Sequence, residues 1–336
     1  EYSFFLTKNM PKKRYRIEKD SLGEVRVPIN ALWGPQTQRA INNFPISGIT
    51  FNFLFSRTFI KALGVIKQAS AKANETLNLI DTKRSNGIVK ASKEVLSGKH
   101  DNQFPIDIFQ TGSGTSTNMN ANEVIATLAS KYSGVEVDPN NHVNMSQSSN
   151  DVIPTAINIS SHFDMTRQLL PALCGLIKTI DVKAKKLEGI IKTGRTHLMD
   201  AMPLDMSQEL LAWKSQLDST YEFLLSITDK LLSIPQGGTA VGTGINAHPR
   251  FSKEFAKEVA KIEKIKVKPS NNFFHSLSSQ DMSLRLSGEL RNLAVILMKI
   301  SNDLRWMNSG PLAGIAEIEL QALQPGSSIM PGKVNP

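Results

Sequence analysis

The amino-acid sequence predicts a mainly α protein built on a long central helical bundle, and three stretches carry that prediction. Between Phe59 and Leu79 the residues Ala62, Ile66, Ala69, Ala73 and Leu77 recur in steps of three or four, the interval that places side chains on one helical face. Between Ser207 and Leu232 the residues Leu210, Leu217, Tyr221, Leu224 and Leu231 repeat the pattern. A helix over that span would reach about 39 Å, and helices that long hide their apolar stripes by bundling. Met282 to Trp306 predicts another.

The remaining elements follow in chain order. Residues 10 to 50 are dense in turn signals, such as Asp20-Ser21-Leu22-Gly23, Trp33-Gly34-Pro35 and Phe44-Pro45, so little long helix or strand is expected there. Thr37 and Arg39, two residues apart, suit an extended or turning segment. A second helix is expected over Gly87 to Leu96, an alanine-rich one over Ala121 to Ser130, and a longer one from about Asp151 to Thr179. A short helical stretch over Val182 to Ile191 and an amphipathic helix through Phe251, Phe255, Val259 and Ile262 complete the set. Cys174 has Leu170, Ile177 and Ile180 near it on the predicted helix and reads as a buried small hydrophobe.

Composition narrows the class. A chain of 336 residues with 40% hydrophobic and 21% charged residues, and no apolar run long enough to span a bilayer, describes a soluble globular protein of two or three domains. One cysteine rules out an intramolecular disulfide and agrees with a reducing compartment. The formal charge of +9 is spread over helix-like segments with no nucleic-acid-reading motif beside it, so nucleic acid is set aside. No His, Cys, Asp or Glu group shows metal-ligand spacing, and no Walker or dinucleotide fingerprint is present. No metal or cofactor is expected.

Chemistry concentrates in loops between the helices. Gly112-Ser113-Gly114-Thr115 interleaves glycines with hydroxyls at a helix entrance, an arrangement that cradles anions. Gln147-Ser148-Ser149-Asn150-Asp151 precedes a helix with more hydrogen-bonding groups than a single cap uses, which favours carboxylate binding at the positive end of the helix dipole. Thr193-Gly194-Arg195-Thr196-His197 holds a histidine in a glycine-to-proline loop, and Pro235 to Asn246 is glycine-dense. The last loop, Gly326-Ser327-Ser328-Ile329-Met330-Pro331-Gly332-Lys333-Val334-Asn335-Pro336, carries hydroxyls, an amine and an amide with no packing rationale. That set fits recognition of a small dianion coupled to proton transfer.

GSSIMPGKVNP resembles the signature loop of the fumarase/aspartase superfamily. The stretches RIEKDSLGEVRVP with ALWGPQTQRAINNFPISG, QTGSGTSTNMN, NMSQSSNDVIPTA and GRTHLMDAMPL resemble other segments of that superfamily in the same order. The resemblance runs over almost all of Arg16 to Pro336. It implies the superfamily's mainly α fold, with an amino-terminal mixed and helical domain over 10–147 and a central helical-bundle domain over 148–336. It also implies a homotetramer whose active sites draw on three subunits. Residue by residue, it makes Ser327 the base, with Lys333 beside it and binding substrate with Asn335. His197 is then a proton-transfer group acting through a water, next to Thr196. Ser113, Thr115, Ser148, Ser149 and Asn150 orient the dianion, Thr37 and Arg39 support the site, and Ser328 has a structural part. Implied activity is reversible hydration of fumarate to L-malate, without cofactor, nucleic acid or membrane, in the cytoplasm or, in a eukaryote, the mitochondrial matrix.

Two departures qualify the resemblance. Asp138, in Asp138-Pro139-Asn140-Asn141, matches a histidine of the superfamily's accessory dicarboxylate site, and an acid there would repel a dianion. The superfamily continues beyond KVNP through the rest of the bundle and a small carboxy-terminal domain, so the sequence is expected to be the first part of a longer protein, with Met10 as a natural start. Leu32-Trp33-Gly34, Gln110 to Thr115 and Leu304-Arg305-Trp306 look more like the class II fumarase branch than the aspartase branch. Aspartate ammonia-lyase chemistry stays open because one catalytic kit serves both eliminations, as does an inactive helical structural or interaction relative.

Overall fold

The computed structural model describes residues 15–51, 57–330 and 332–335, which form ten α-helices and four two-stranded pairings. Met10, the basic run Lys12 to Arg14, and Pro331 and Pro336 of the last loop lie outside them. The chain divides into two compact units, one running to Asp164 and resuming over Asp229–Gln280, the other comprising Met165–Thr228 and Asp281–Pro336.

The first unit opens with an antiparallel hairpin, β1 (Tyr15–Asp20) and β2 (Gly23–Pro28), followed by α1 (Pro35–Asn43). Thr37 and Arg39 are therefore helical, where the spacing predicted an extended or turning segment. Pro35 at the first helical position pre-sets φ. A carboxylate remote in sequence does the capping: Glu123 accepts the backbone N–H groups of Gly34 (2.8 Å), Gln36 (2.9 Å) and Thr37 (3.1 Å). Arg39 then pairs with Asp20 at 2.7 Å, holding the hairpin to the helix.

Glu123 belongs to α4 (Thr115–Ser133), which packs with α2 (Arg57–Thr76) and α3 (Thr82–Ser97) into the core of this unit. Helix α2 is buried on nearly every side, through Ile60, Leu63, Ile66 and a run of alanines. Small residues set the spacing. A Cβ added to Gly87 would lie 2.8 Å from the Ala129 oxygen, closer than alanine allows, and one on Gly64 would press on the Leu96 nitrogen at 3.1 Å. Asp81 caps α3 through the Arg84 N–H, and Gly98 ends it at φ 90°, the left-handed closure glycine favours. The unit is completed by α5 (Ser149–Asp164) and, after the excursion through the second unit, by β5 (Ser233–Ile234), α8 (Phe251–Glu263), β6 (Lys268–Pro269) and α9 (Phe273–Ser278). Strands β5 and β6 pair in parallel.

The second unit begins with a π-helical turn over Met165–Leu169 and then α6 (Leu170–Lys186). The sequence predicted one helix to Thr179 and a separate helical stretch to Ile191. Pro171 has no N–H to return to the preceding turn, so the helix widens there, and α6 runs on instead to Lys186. The antiparallel β3 (Ile191–Thr196) and β4 (Met199–Asp205) come next, then α7 (Met206–Leu231) and α10 (Asp281–Met307). Buried Leu210, Trp213, Leu217 and Leu224 on α7, and Leu286, Leu293, Ile296 and Ile300 on α10, repeat at the three-and-four steps of bundle helices. Trp213 Nε1 donates to Asp303 Oδ2 at 3.1 Å, joining the two. Both helices also expose large apolar side chains, including Phe223, Leu284, Val295 and Met298. The chain then passes through irregular backbone to β7 (Gln324–Pro325), antiparallel to β8 (Val334–Asn335). No helix among the described residues is long and apolar enough to cross a membrane.

Glu123 is 4% exposed, and burial raises its carboxyl above the ordinary value against the pull of the amides it accepts. Glu123→Ala leaves buried N–H groups unpaired and is expected to cost about 2–4 kcal/mol, measured as a lower urea midpoint. A loss of under about 0.5 kcal/mol would show that α1 is held by packing alone.

Candidate active site

In the first unit, the Gly112-to-Thr115 loop meets α4 through Gly114 at φ 67°. Gln110 accepts the Thr117 N–H at 2.9 Å and its hydroxyl at 2.8 Å, so the helix start is satisfied without Ser113 or Thr115. Those two hydroxyls pair with each other at 2.8 Å, with Ser113 exposed.

The N-terminus of α5 is closed by its own first residues. Ser148 occupies the cap position and Asp151 reaches back to the Ser148 N–H at 2.9 Å, the reciprocal half of a capping box. The other Asp151 oxygen accepts the N–H groups of Gly237 and Thr239, each at 3.0 Å. One carboxylate thus ties the glycine-dense loop to the start of α5. Asn150 adds a bond from its amide to the Ala240 oxygen at 2.8 Å. Gly237 has φ 108°, and a Cβ there would lie 2.6 Å from the Ser252 Cβ, so no other residue fits. Ser149 Oγ accepts from Asn118 on α4 at 2.9 Å and Ser148 Oγ accepts from the Asn150 N–H at 3.2 Å. Each serine keeps its own hydrogen to donate.

Beneath this loop lies Lys67 of α2, which is fully buried. Its ammonium donates to Asn144 Oδ1 at 2.9 Å and to Gln147 Oε1 at 3.0 Å. Burial pushes it down to about 7, against the charge of Asp151. Asp151 is pushed up to about 6 by burial, opposed by its amide donors and by Lys67. Sequence reasoning passed over Lys67, although its place on the stripe Leu63, Lys67, Ser70, Asn74 was the available signal: a cation at a core position of an apolar helix.

Asp138, Asn140 and Asn141 form a local cap. Asp138 Oδ1 accepts the N–H groups of Asn140 (2.9 Å) and Asn141 (2.6 Å). Asp138 and Asn140 line a cavity of about 600 Å³ whose wall also carries Glu18, Asp20 and Glu123.

In the second unit, Thr196 ends β3 and His197 with Leu198 forms the two-residue turn to β4. The sequence predicted an open loop here; strand pairing on both sides makes it a hairpin. Both turn residues have positive φ, 52° and 62°, a conformation such turns usually give to Asn and Gly. Two side chains held in the left-handed region at one turn mark a strained site. Gly194 is required inside the hairpin, because a Cβ there would lie 2.5 Å from the Met202 oxygen. Exposed His197 lines a cavity of about 680 Å³ with Lys192, Arg195, Glu209, Lys299 and Asp303. Lys192 and Arg195 both pair with Glu317. Burial raises the Glu317 carboxyl, but the two cations outweigh it and hold it below its ordinary value.

The last loop is closed at its base by β7 and β8 and by the Gly326 N–H to Lys333 O bond of 2.9 Å. Lys333 Nζ donates to Asn335 Oδ1 at 3.0 Å, and Ser327 Oγ accepts the Ile329 N–H at 3.2 Å. The structure thus pairs Ser113 with Thr115, groups Ser148, Ser149 and Asn150, and pairs Lys333 with Asn335. The cavity at His197 is not lined by Ser327, Lys333 or Asn335.

Comparison with known proteins adds to this geometry. A family model described as lyase matches residues 23–336. A class II fumarate hydratase of Xylella fastidiosa is 55% identical over 323 residues, covering 96% of this chain and 67% of that protein. One from Thermus thermophilus is 47% identical over 327 residues, covering 96% and 70%. Among solved structures, recombinant class II fumarase from Schistosoma mansoni superposes with a TM-score of 0.92 at 39% identity, covering 96% of this chain and 71% of that one. A fumarate lyase:delta crystallin from Brucella melitensis bound to cobalt gives 0.91 at 40% identity, with the same coverage.

The join at Asp151 is testable by itself. Asp151→Ala frees the Gly237 and Thr239 amides, and hydrogen exchange at residues 237–239 is expected to speed up by about tenfold or more. Unchanged exchange there would show that the glycine-dense loop is held without it.

Proposed function

This chain belongs to the fumarase/aspartase superfamily of lyases, and from that premise we propose that it catalyses the reversible hydration of fumarate to L-malate. The observation that carries the reading is the N-terminus of α5. Asp151 accepts the Ser148 N–H and Ser148 Oγ accepts the Asn150 N–H, so the hydroxyl hydrogens of Ser148 and Ser149, with the Asn150 amide beside them, remain at the positive end of a helix dipole as donors for a carboxylate. Ser113 and Thr115, released from capping by Gln110, take the same role at the start of α4. The branch, fumarase over aspartase, rests on likeness to the class II fumarate hydratases.

In the dehydration direction the hard step is loss of a weakly acidic proton from C3 of malate. Ser327 takes that proton, and the electron pair is held on the adjoining carboxylate as an aci form, stabilised by fixed donors. The C2–O bond then breaks as the C2–C3 double bond forms, and His197 supplies a proton through a water so that the hydroxyl leaves as water. A serine hydroxyl is too weak a base unless its alkoxide is stabilised. Lys333, on the same loop, and the Ile329 N–H, already bonded to Ser327 Oγ, support that role. Lys333 and Asn335 also bind substrate carboxylate. Thr196 adjoins His197 at the strained turn, Thr37 and Arg39 support the site from α1, and Asp138, Asn140 and Asn141 are an acid-altered form of the accessory dicarboxylate site.

We also propose a homotetramer with composite sites. The exposed Phe223, Leu284, Val295 and Met298 of α7 and α10 suit burial against other copies, and the His197 cavity excludes Ser327 within one chain. The enzyme works in an aqueous reducing compartment, the cytoplasm or, in a eukaryote, the mitochondrial matrix.

The deciding experiment follows absorbance at the fumarate band with L-malate and L-aspartate supplied separately. A rise with malate alone is expected; a rise with aspartate alone would overturn the leaving group. Ser327→Ala is expected to lower malate dehydration by about 10³-fold or more with assembly unchanged, and unaltered turnover would remove it as the base. His197→Asn is expected to lower kcat more than it raises KM, and a change in KM alone would leave it a binding residue.

A further inference from the structure

Proton transfer as proposed above makes no use of Lys67, the buried cation under the α5 loop. Its amine is spent on holding that loop. Gln147, which accepts from Lys67, donates to the Val143 and Met145 carbonyl oxygens, each at 3.0 Å. Asn144 Oδ1, the other acceptor, also receives the Asn118 amide at 3.3 Å, and that amide gives its second bond to Ser149 Oγ. A single amide therefore separates the partner of the cation from a serine that faces substrate.

We infer that Lys67 is a positioning residue for the substrate: it braces the loop from Asn144 to Asn150, and a dicarboxylate binds to the form of the protein in which Lys67 carries its proton. The inference rests on the reading of the α5 terminus given above. Charge balance is the reason. With Lys67 protonated, its charge offsets the Asp151 carboxylate; with Lys67 neutral, an incoming dianion meets an uncompensated buried acid. Among the described residues the charge acting on Lys67 is Asp151, on α5. The other elements packed against α2 have their titratable groups engaged elsewhere: Glu123 of α4 by the α1 amides, Glu94 of α3 by His100 and Lys99, Glu254, Glu258 and Glu263 of α8 by Lys257, Lys261 and Lys61, and, at the turn over Pro139–Val143, Asp138 by the Asn140 and Asn141 N–H groups and His142 by the Asp138 N–H.

Burial holds the amine near 7, so the proton is present below that pH and lost above it. Dicarboxylate binding then weakens as pH rises through about 7, and above it binding takes a proton from solvent.

The test is calorimetric titration of the full-length protein with succinate at about pH 7.5, in two buffers of different ionisation enthalpy. Wild type is expected to take up a fraction of a proton per site. Lys67→Met, with His197 unaltered, is expected to lose that uptake and to bind about tenfold more weakly. In catalysis KM rises by the same factor while kcat stays within about threefold. Should the single variant not fold, Lys67→Met with Asp151→Asn keeps the core neutral: it is expected to lose the proton uptake while binding succinate within about threefold of wild type, and retained uptake overturns the inference. A folded variant with unchanged uptake and affinity overturns the inference, and so does wild type that binds succinate with no uptake between about pH 6.5 and 8.5. Wild type that binds no succinate overturns the reading of the α5 terminus along with it.

Discussion

The site loops of the first unit depend on one buried carboxylate. Asp151 accepts N–H groups from both its own helix start and the glycine-dense loop, and it is fully buried while doing so. Burying a charge costs several kcal/mol unless fixed donors and a counter-charge replace water. Three amides and Lys67 supply both here. Asp151 holds the Ser148 N–H, and both serines at the helix start serve as acceptors, Ser148 from the Asn150 N–H and Ser149 from Asn118, so each keeps a hydroxyl hydrogen.

The same division of labour recurs. Gln110 caps the start of α4 so that Ser113 and Thr115 are not needed for it. Glu123 caps α1 across the unit, so that helix can carry Thr37 and Arg39 without an acid or hydroxyl of its own at its first position. In both cases a polar group from outside the helix pairs backbone N–H groups of its first turn. Leaving backbone N–H groups unpaired in the interior would be costly, so the loops could not present their hydroxyls without these substitutes.

The second unit is governed by length and strain. Helices α7 and α10 leave large apolar side chains exposed, Phe223, Leu284, Val295 and Met298 among them. His197 is fixed at a two-residue turn in a backbone conformation that glycine would adopt more easily. The Glu317 pairs to Lys192 and Arg195 hold the hairpin that presents it.

The sequence by itself determined the helices and the chemistry of the loops, because both are local: α2, α7, α8 and α10 follow from steps of three and four, and the hydroxyl, amide and amine sets of the site segments stand contiguous in the chain. Local signals misjudged α1, whose cap is a carboxylate 89 residues from Gly34, and the His197 hairpin, whose strands declare themselves only by pairing. They could not show that Lys67 is a buried charge, since its partner Gln147 is 80 residues away, nor that Asp151 holds Gly237 from 86 residues away. Tertiary structure decided those points, because burial and long-range hydrogen bonding are properties of what the folded chain brings together, and the electrostatics of a site follow from burial rather than from residue type.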